Sequence, residues 1–149
     1  MNKKLIFTFI LLVVHSITYA ISLKKRTTTF HSCETFIRLE TFNIEISPDP
    51  LVSGQIVTFN ASGILNNNIT NGTIQVSFYN QNASDSFYES NETYIPETLA
   101  HTSFTVNTTF TTPDIPTNYT ILAFIDSVIE RNDSVFLFDI ACAQANVGF

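Results

Sequence analysis

A chain of 149 residues suits one domain built on one core, and thirteen acidic side chains against seven basic ones argue against a nucleic-acid partner. Fourteen phenylalanines, no tryptophan and only three histidines describe an aromatic interior with few groups fit for acid–base or metal chemistry.

Met1 to Ala20 reads as a secretory signal peptide: Lys3 and Lys4 are its charged region, Leu5 to Val14 are nearly all apolar, and Thr18-Tyr19-Ala20 offers a cleavage site. The apolar run is shorter than the about 20 residues that span a bilayer, and His15 and Ser16 interrupt it. Losing the signal removes two lysines and leaves five basic residues against thirteen acidic ones, a net charge of −8. Residues 21–29 form a basic tail around Lys24, Lys25 and Arg26. Its plain reading is a solvated segment; a processing site or a weak tab for anionic head groups are the alternatives. Cys33 and Cys142 are the only cysteines. In the oxidising compartment that a signal implies, such a pair is most simply one disulfide.

From Phe42 the chain alternates, with Phe42, Ile44 and Ile46 pointing one way and Asn43 and Glu45 the other, as a strand with one wet face requires. Pro48 and Pro50 end that ladder, since neither has an amide hydrogen, and Gly54 permits a turn. A second strand places Val57, Phe59 and Ala61 on one face. A third runs over Thr73 to Tyr79 with Ile74, Val76 and Phe78 sharing a side. Gln81 to Ala100 is polar and lacks a helical period. It reads as a long loop with a short edge strand near Phe87–Tyr88, placed to act as a flap.

His101 to Thr111 is the next strand, with Phe104, Val106 and Phe110 inward. Asn118 to Ile129 carries Tyr119, Ile121, Ala123 and Ile125 on one face and Leu122 and Phe124 on the other, which predicts a central strand covered on both sides. Ser134 to Val147 is the last strand, with Phe136, Phe138 and Ile140 in the parity of Cys142. About seven strands with turn residues between them and no helical signal predict an immunoglobulin-like β-sandwich.

Eight Asn-x-Ser/Thr sequons, at Asn60, Asn68, Asn71, Asn82, Asn91, Asn107, Asn118 and Asn132, are candidate glycosylation sites. Those that carry sugar must face solvent. Asn60 and Asn107 alternate with Phe59 and Val106, so sequons and hydrophobic pattern predict the same faces.

Two stretches resemble the ML-domain lipid-binding family, whose fungal phosphatidylglycerol/phosphatidylinositol transfer proteins are similar. ISPDPLVSGQIVTFNASGIL is similar to the family's opening Pro-x-Pro and Gly pattern. TTPDIPTNYTILAFI is similar to a further Pro-, Ile-Pro- and Tyr-bearing stretch of the family through Pro113, Ile115, Pro116 and Tyr119, and IACAQANV resembles its last cysteine-bearing strand. The resemblance covers roughly Phe30 to Val147, making residues 30–149 an ML-type domain. It implies the Cys33–Cys142 disulfide and an apolar cavity between two separated sheets, with a mouth beside Ile115, Pro116 and Tyr119. The slot-lining residues it implies are Ile46, Val57, Phe59, Val76, Phe78, Phe104, Phe110, Ile115, Tyr119, Ile121, Phe136 and Phe138. The ligand implied is a phospholipid or sterol, carried by a monomer that touches membranes transiently and works outside the cell or in a vacuolar or lysosomal lumen. This chain lacks the further cysteines that most members use across the middle loop.

Nothing in the sequence points to an enzyme. No nucleophile elbow, zinc-binding helix motif or phosphate loop is present, His31 and His101 are far apart, and no cofactor or metal is expected. Asp126 and Asp139 could meet in space, with a solvated surface as their plain reading. The competing reading of the whole chain is a glycosylated extracellular sandwich with a filled core that binds another protein.

Overall fold

The structure, a computed structural model, describes residues 27–34, 39–80, 86–131 and 134–148. The expected signal peptide, the basic run Lys24–Arg26, and the sequon residues Asn82 and Asn132 lie outside them. The described residues form nine strands: β1 (His31–Ser32), β2 (Asn43–Ser47), β3 (Ile56–Ile64), β4 (Gly72–Asn80), β5 (Ser86–Glu89), β6 (Thr93–Ile95), β7 (Ser103–Thr111), β8 (Tyr119–Arg131) and β9 (Ser134–Val147). They make two antiparallel sheets. The larger runs β1-β9-β8-β4-β5, with β6 also paired to β4, and the smaller is β2-β3-β7.

Alternation sets the inner faces. Val57, Phe59 and Ala61 of β3 are buried against Ile74, Val76 and Phe78 of β4 and Ile121, Ala123 and Ile125 of β8. β8 lies between β4 and β9, as its two apolar faces predict. The outer face of the small sheet is polar: Asn60 pairs with Asn107, and the Thr58 and Thr109 hydroxyls sit 3.0 Å apart. At the prolines after β2 both Ser47–Pro48 and Asp49–Pro50 are cis, and Gly54 takes φ 76, a left-handed value that a Cβ resists. Gly72 answers a different need, since a Cβ there would meet Ile69 and stand 2.8 Å from the backbone oxygen of Asp126.

Three expectations change. The described part of the Gln81–Ala100 stretch is more than a loop: it supplies β5, where an edge strand near Phe87–Tyr88 was expected, and also β6. Glu89 pairs with Ser77, Ile95 pairs with Gly72, and the Ile95 side chain is fully buried. β6 is too short to show a period, so only its pairing with β4 reveals it. The described residues of the sandwich therefore form nine strands where about seven were expected.

The third change concerns β9. Ile125 pairs with Ala141 but Asp126 pairs with Asp139, so Ile140 is the extra residue of a β-bulge. Phe138 pairs with Ser127 and Cys142 with Phe124, which puts Phe138 and Cys142 on opposite faces rather than on one. The parity expected for Phe136, Phe138 and Ile140 is lost at this step.

Cys33 and Cys142 are bonded, with Cα atoms 5.8 Å apart and a sequence separation of 109. Closing such a loop stabilises the fold by roughly 4–5 kcal/mol in the chain-entropy picture. Beside it, Glu40 N donates to Ile140 O at 3.1 Å and Cys142 N to Glu40 O at 2.8 Å, so the edge of β9 is covered around the bulge. The Glu40 carboxylate accepts from Asn66 N at 2.6 Å and from Asn67 Nδ2 at 2.6 Å, tying the turn after β3 to the same edge.

Candidate functional site

Aromatic rings meet across the two sheets. Phe59 stacks on Phe110 with centroids 5.3 Å apart, and Phe78 reaches from the larger sheet to stand edge-on to both, at 6.4 and 6.1 Å. Tyr119 stacks on the other side of Phe78 at 6.1 Å, and Tyr88 lies 5.5 Å from Phe110. Each ring pair adds about 0.5–1.5 kcal/mol beyond the area it buries. Val57, Phe59, Val76, Phe78 and Ile121 are thus inward as predicted, and Ile46 and Phe110 pack against them half-buried. Among the described residues these rings touch one another across the sheets. Sheets about 10 Å apart leave room for one layer of interdigitating rings, and phenylalanine fills it.

One open space lies at the rim of this cluster. A cleft of about 400 Å³ is lined by Leu51, Ile115, Tyr119 and Val147 on its apolar side and by Thr27, Thr28, Thr29 and Asn146 on its polar side. Ile115 is positioned by its amide, which donates to Ser53 Oγ at 3.1 Å. Pro116 is exposed beside it, outside the lining. Asp49, held between the two cis prolines, accepts from Thr28 N at 2.7 Å and from Thr28 Oγ1 at 2.9 Å. The end of the expected tail is therefore fastened along the cleft, and Phe30 follows with its ring 6.4 Å from Phe59. Burial, and secondarily the Asp49 charge, raise the Tyr119 hydroxyl above its ordinary pKa, so it stays a neutral donor and acceptor.

Sequence reasoning found Ile115 and Tyr119 but missed Leu51, Val147 and the threonines. Leu51 is a lone apolar residue after Pro50, and a Thr run in a tail carries no periodic signal. Of the remaining predicted residues, Phe104 packs on Phe42 at 6.2 Å, at the end of β3 away from the cleft. Phe136 and Phe138 are not brought to the interior: they are 46% and 47% exposed, with rings 6.1 Å apart. Their face of β9 runs past the small sheet, which has no strand long enough to cover it. Among the described sequons Asn68, Asn71, Asn91 and Asn107 are exposed, whereas Asn60 and Asn118 are half-buried.

Of the two carboxylates expected on a solvated surface, Asp139 is exposed and Asp126 is not. Asp126 and Asp139 do meet, directly opposite each other on β8 and β9, but Asp126 is only 9% exposed. Burial first, then a hydrogen bond and charge repulsion from Asp139 and the charge of Glu92, push Asp126 up to about 7. Among the described residues no group of three or more His, Cys, Asp or Glu could hold a metal ion.

These features define an antiparallel β-sandwich joined end to end by one disulfide, with an apolar-floored cleft at one rim. No family model and no characterised protein sequence matches the chain. Among solved structures it is similar to one described as the crystal structure of chicken MD-1 complexed with lipid IVa. The two share 15% identity over 79% of this chain and 86% of that one, with a TM-score of 0.48.

Proposed function

We propose that the chain is a lipid-binding protein of the secretory pathway that takes a phospholipid or sterol at the Ile115–Tyr119 cleft and shields its apolar part during transfer. The observation that carries this reading is a coincidence of place. The segment that resembles the ML family implies a mouth beside Ile115, Pro116 and Tyr119, and the cleft is lined by two of those three residues. Its volume of about 400 Å³ falls in the range of about 300–1,000 Å³ usual for small-molecule sites. Each methylene placed against Leu51, Ile115 and Val147 contributes about 0.8 kcal/mol. A head group at the rim finds the hydroxyls of Thr27–Thr29 and the Asn146 amide. No bond is made or broken, so binding needs no catalytic residue. The disulfide supports an oxidising compartment.

The interlocked rings favour a second reading, the filled sandwich that binds another protein. One experiment separates the two. Protein purified without denaturation is analysed by mass spectrometry for co-extracted lipid and titrated with fluorescent sterol and phospholipid analogues. Carriage predicts bound lipid or saturable analogue binding. A lipid-free protein that takes up neither analogue supports the interaction module.

A further inference from the structure

We infer that Asn118, the sequon at the cleft, is a structural clamp that stays free of sugar, and that Asn68, at the opposite end of the sandwich, carries an N-linked glycan. Both halves rest on the chain entering the secretory pathway, as proposed above, where such sugars are added. Asn118-Tyr119-Thr120 and Asn68-Ile69-Thr70 are equally good sequons, so the pattern alone does not separate them. Their amides do. An N-linked sugar is bonded to the side-chain nitrogen, replaces one of its two hydrogens and needs open solvent beyond it.

Asn118 spends both hydrogens on the protein. With its amide oriented to satisfy its neighbours, Nδ2 donates to Gly148 O at 2.7 Å and to Thr117 O at 3.2 Å. These bonds tie the residue just before β8 to the residue just after β9, beyond the terminal pair Tyr119 and Val147. The packing there is close: a Cβ on Gly148 would strike the Thr117 carbonyl oxygen, so the two segments leave no room for a sugar between them. Tyr119, Asn146, Val147 and Gly148 all line the cleft, and the clamp sets how they stand to one another. Sugar added at half-buried Asn118 before folding removes a donor and wedges a bulky group into the clamp, so the chain that folds is the chain without it.

Asn68 is built the other way round. Its Oδ1 accepts from Ala100 N at 2.7 Å, and its backbone carbonyl accepts from Ser127 Oγ at 3.3 Å. The residue is exposed, and its side-chain nitrogen has no partner among the described residues. One bond therefore orients the amide through its oxygen, an acceptor that a glycosylated amide keeps. Beside it Thr98 and the 72%-exposed Leu99 line a shallow hollow of about 190 Å³ that the first sugar can cover. Ser127 lies eight residues along β8 from Tyr119, roughly 26 Å at the usual rise of a strand. The sugar stands away from the cleft, and the rim at Asn118 is bare.

The natural chain is secreted from eukaryotic cells, and its N-linked sugars are removed enzymatically in heavy-oxygen water, which leaves a labelled aspartate wherever a sugar stood. Peptide mass spectrometry is expected to find label at Asn68 and none at Asn118. Label at Asn118, or an unlabelled Asn68 in chain that has lost Met1–Ala20, overturns the assignment. Chain that keeps Met1–Ala20 and has no label at any sequon overturns the secretory reading, and the assignment with it. The clamp is tested by thermal unfolding of Asn118→Asp, which keeps the shape but loses both donors and sets a carboxylate against two carbonyls. It is expected to melt several degrees below the natural chain with an unchanged sugar content. An unchanged melting point, or a loss of sugar, overturns the clamp. Should the variant fail to fold, the sugar map of the natural chain decides.

Discussion

The two ends of β8 and β9 are built differently. Near Tyr119 the strands sit under the small sheet, rings from both sheets interlock, and Asp49 fastens the N-terminal segment beside the cleft. Beyond Asp126 the same strands run past the small sheet, whose β3 and β7 have nine residues each against 13 and 14 in β8 and β9. There Phe136 and Phe138, on an inward parity, meet each other and stay 46% and 47% exposed. Strand length, not residue type, decides whether an aromatic ring becomes core or surface.

Removing the staple is the largest perturbation. Cys33→Ala with Cys142→Ala is expected to cost roughly 4–5 kcal/mol, read as a lower urea midpoint, because it frees the longest loop in the chain. A result under 1 kcal/mol would mean that the unfolded chain is already compact. Next in size is Phe78→Ala, expected to cost about 3–5 kcal/mol, since Phe78 is fully buried and touches rings on both sheets. Phe138→Ala is its control at the other end: at 47% exposed it should change stability by less than about 1 kcal/mol. Equal losses for the two would erase the contrast between the ends. Ile115→Glu is expected to leave the melting point within about 2 °C while weakening binding of a lipid analogue, because a charge at the cleft floor loses hydration to an apolar tail.

Much of this was readable beforehand. The alternation of Val57, Phe59 and Ala61, and of Ile74, Val76 and Phe78, assigns inner faces because a pleated strand offers only two. The Cys33–Cys142 pairing follows from having two cysteines and one oxidising compartment. What stayed hidden depends on partners distant in sequence. Ile140 fits either face, so no local signal marks it as the bulge that reverses Phe138 against Cys142. β6 becomes a strand only because β4 lies open beside it. Asp126 looks like any surface acid until β4 and β9 close around it. At the cleft, Ile115 and Tyr119 carried a family pattern, whereas Thr27–Thr29 line it only because Thr28 bonds to Asp49, 21 residues away.

Equilibrium titration with a fluorescent sterol or phospholipid analogue, the natural chain beside Ile115→Glu, tests the central claim most directly. The account predicts saturable, competable binding by the natural chain and a loss of about tenfold or more in the variant, the equivalent of about 1.4 kcal/mol. Natural protein that binds neither analogue, or a folded variant that binds as tightly as the natural chain, would contradict it.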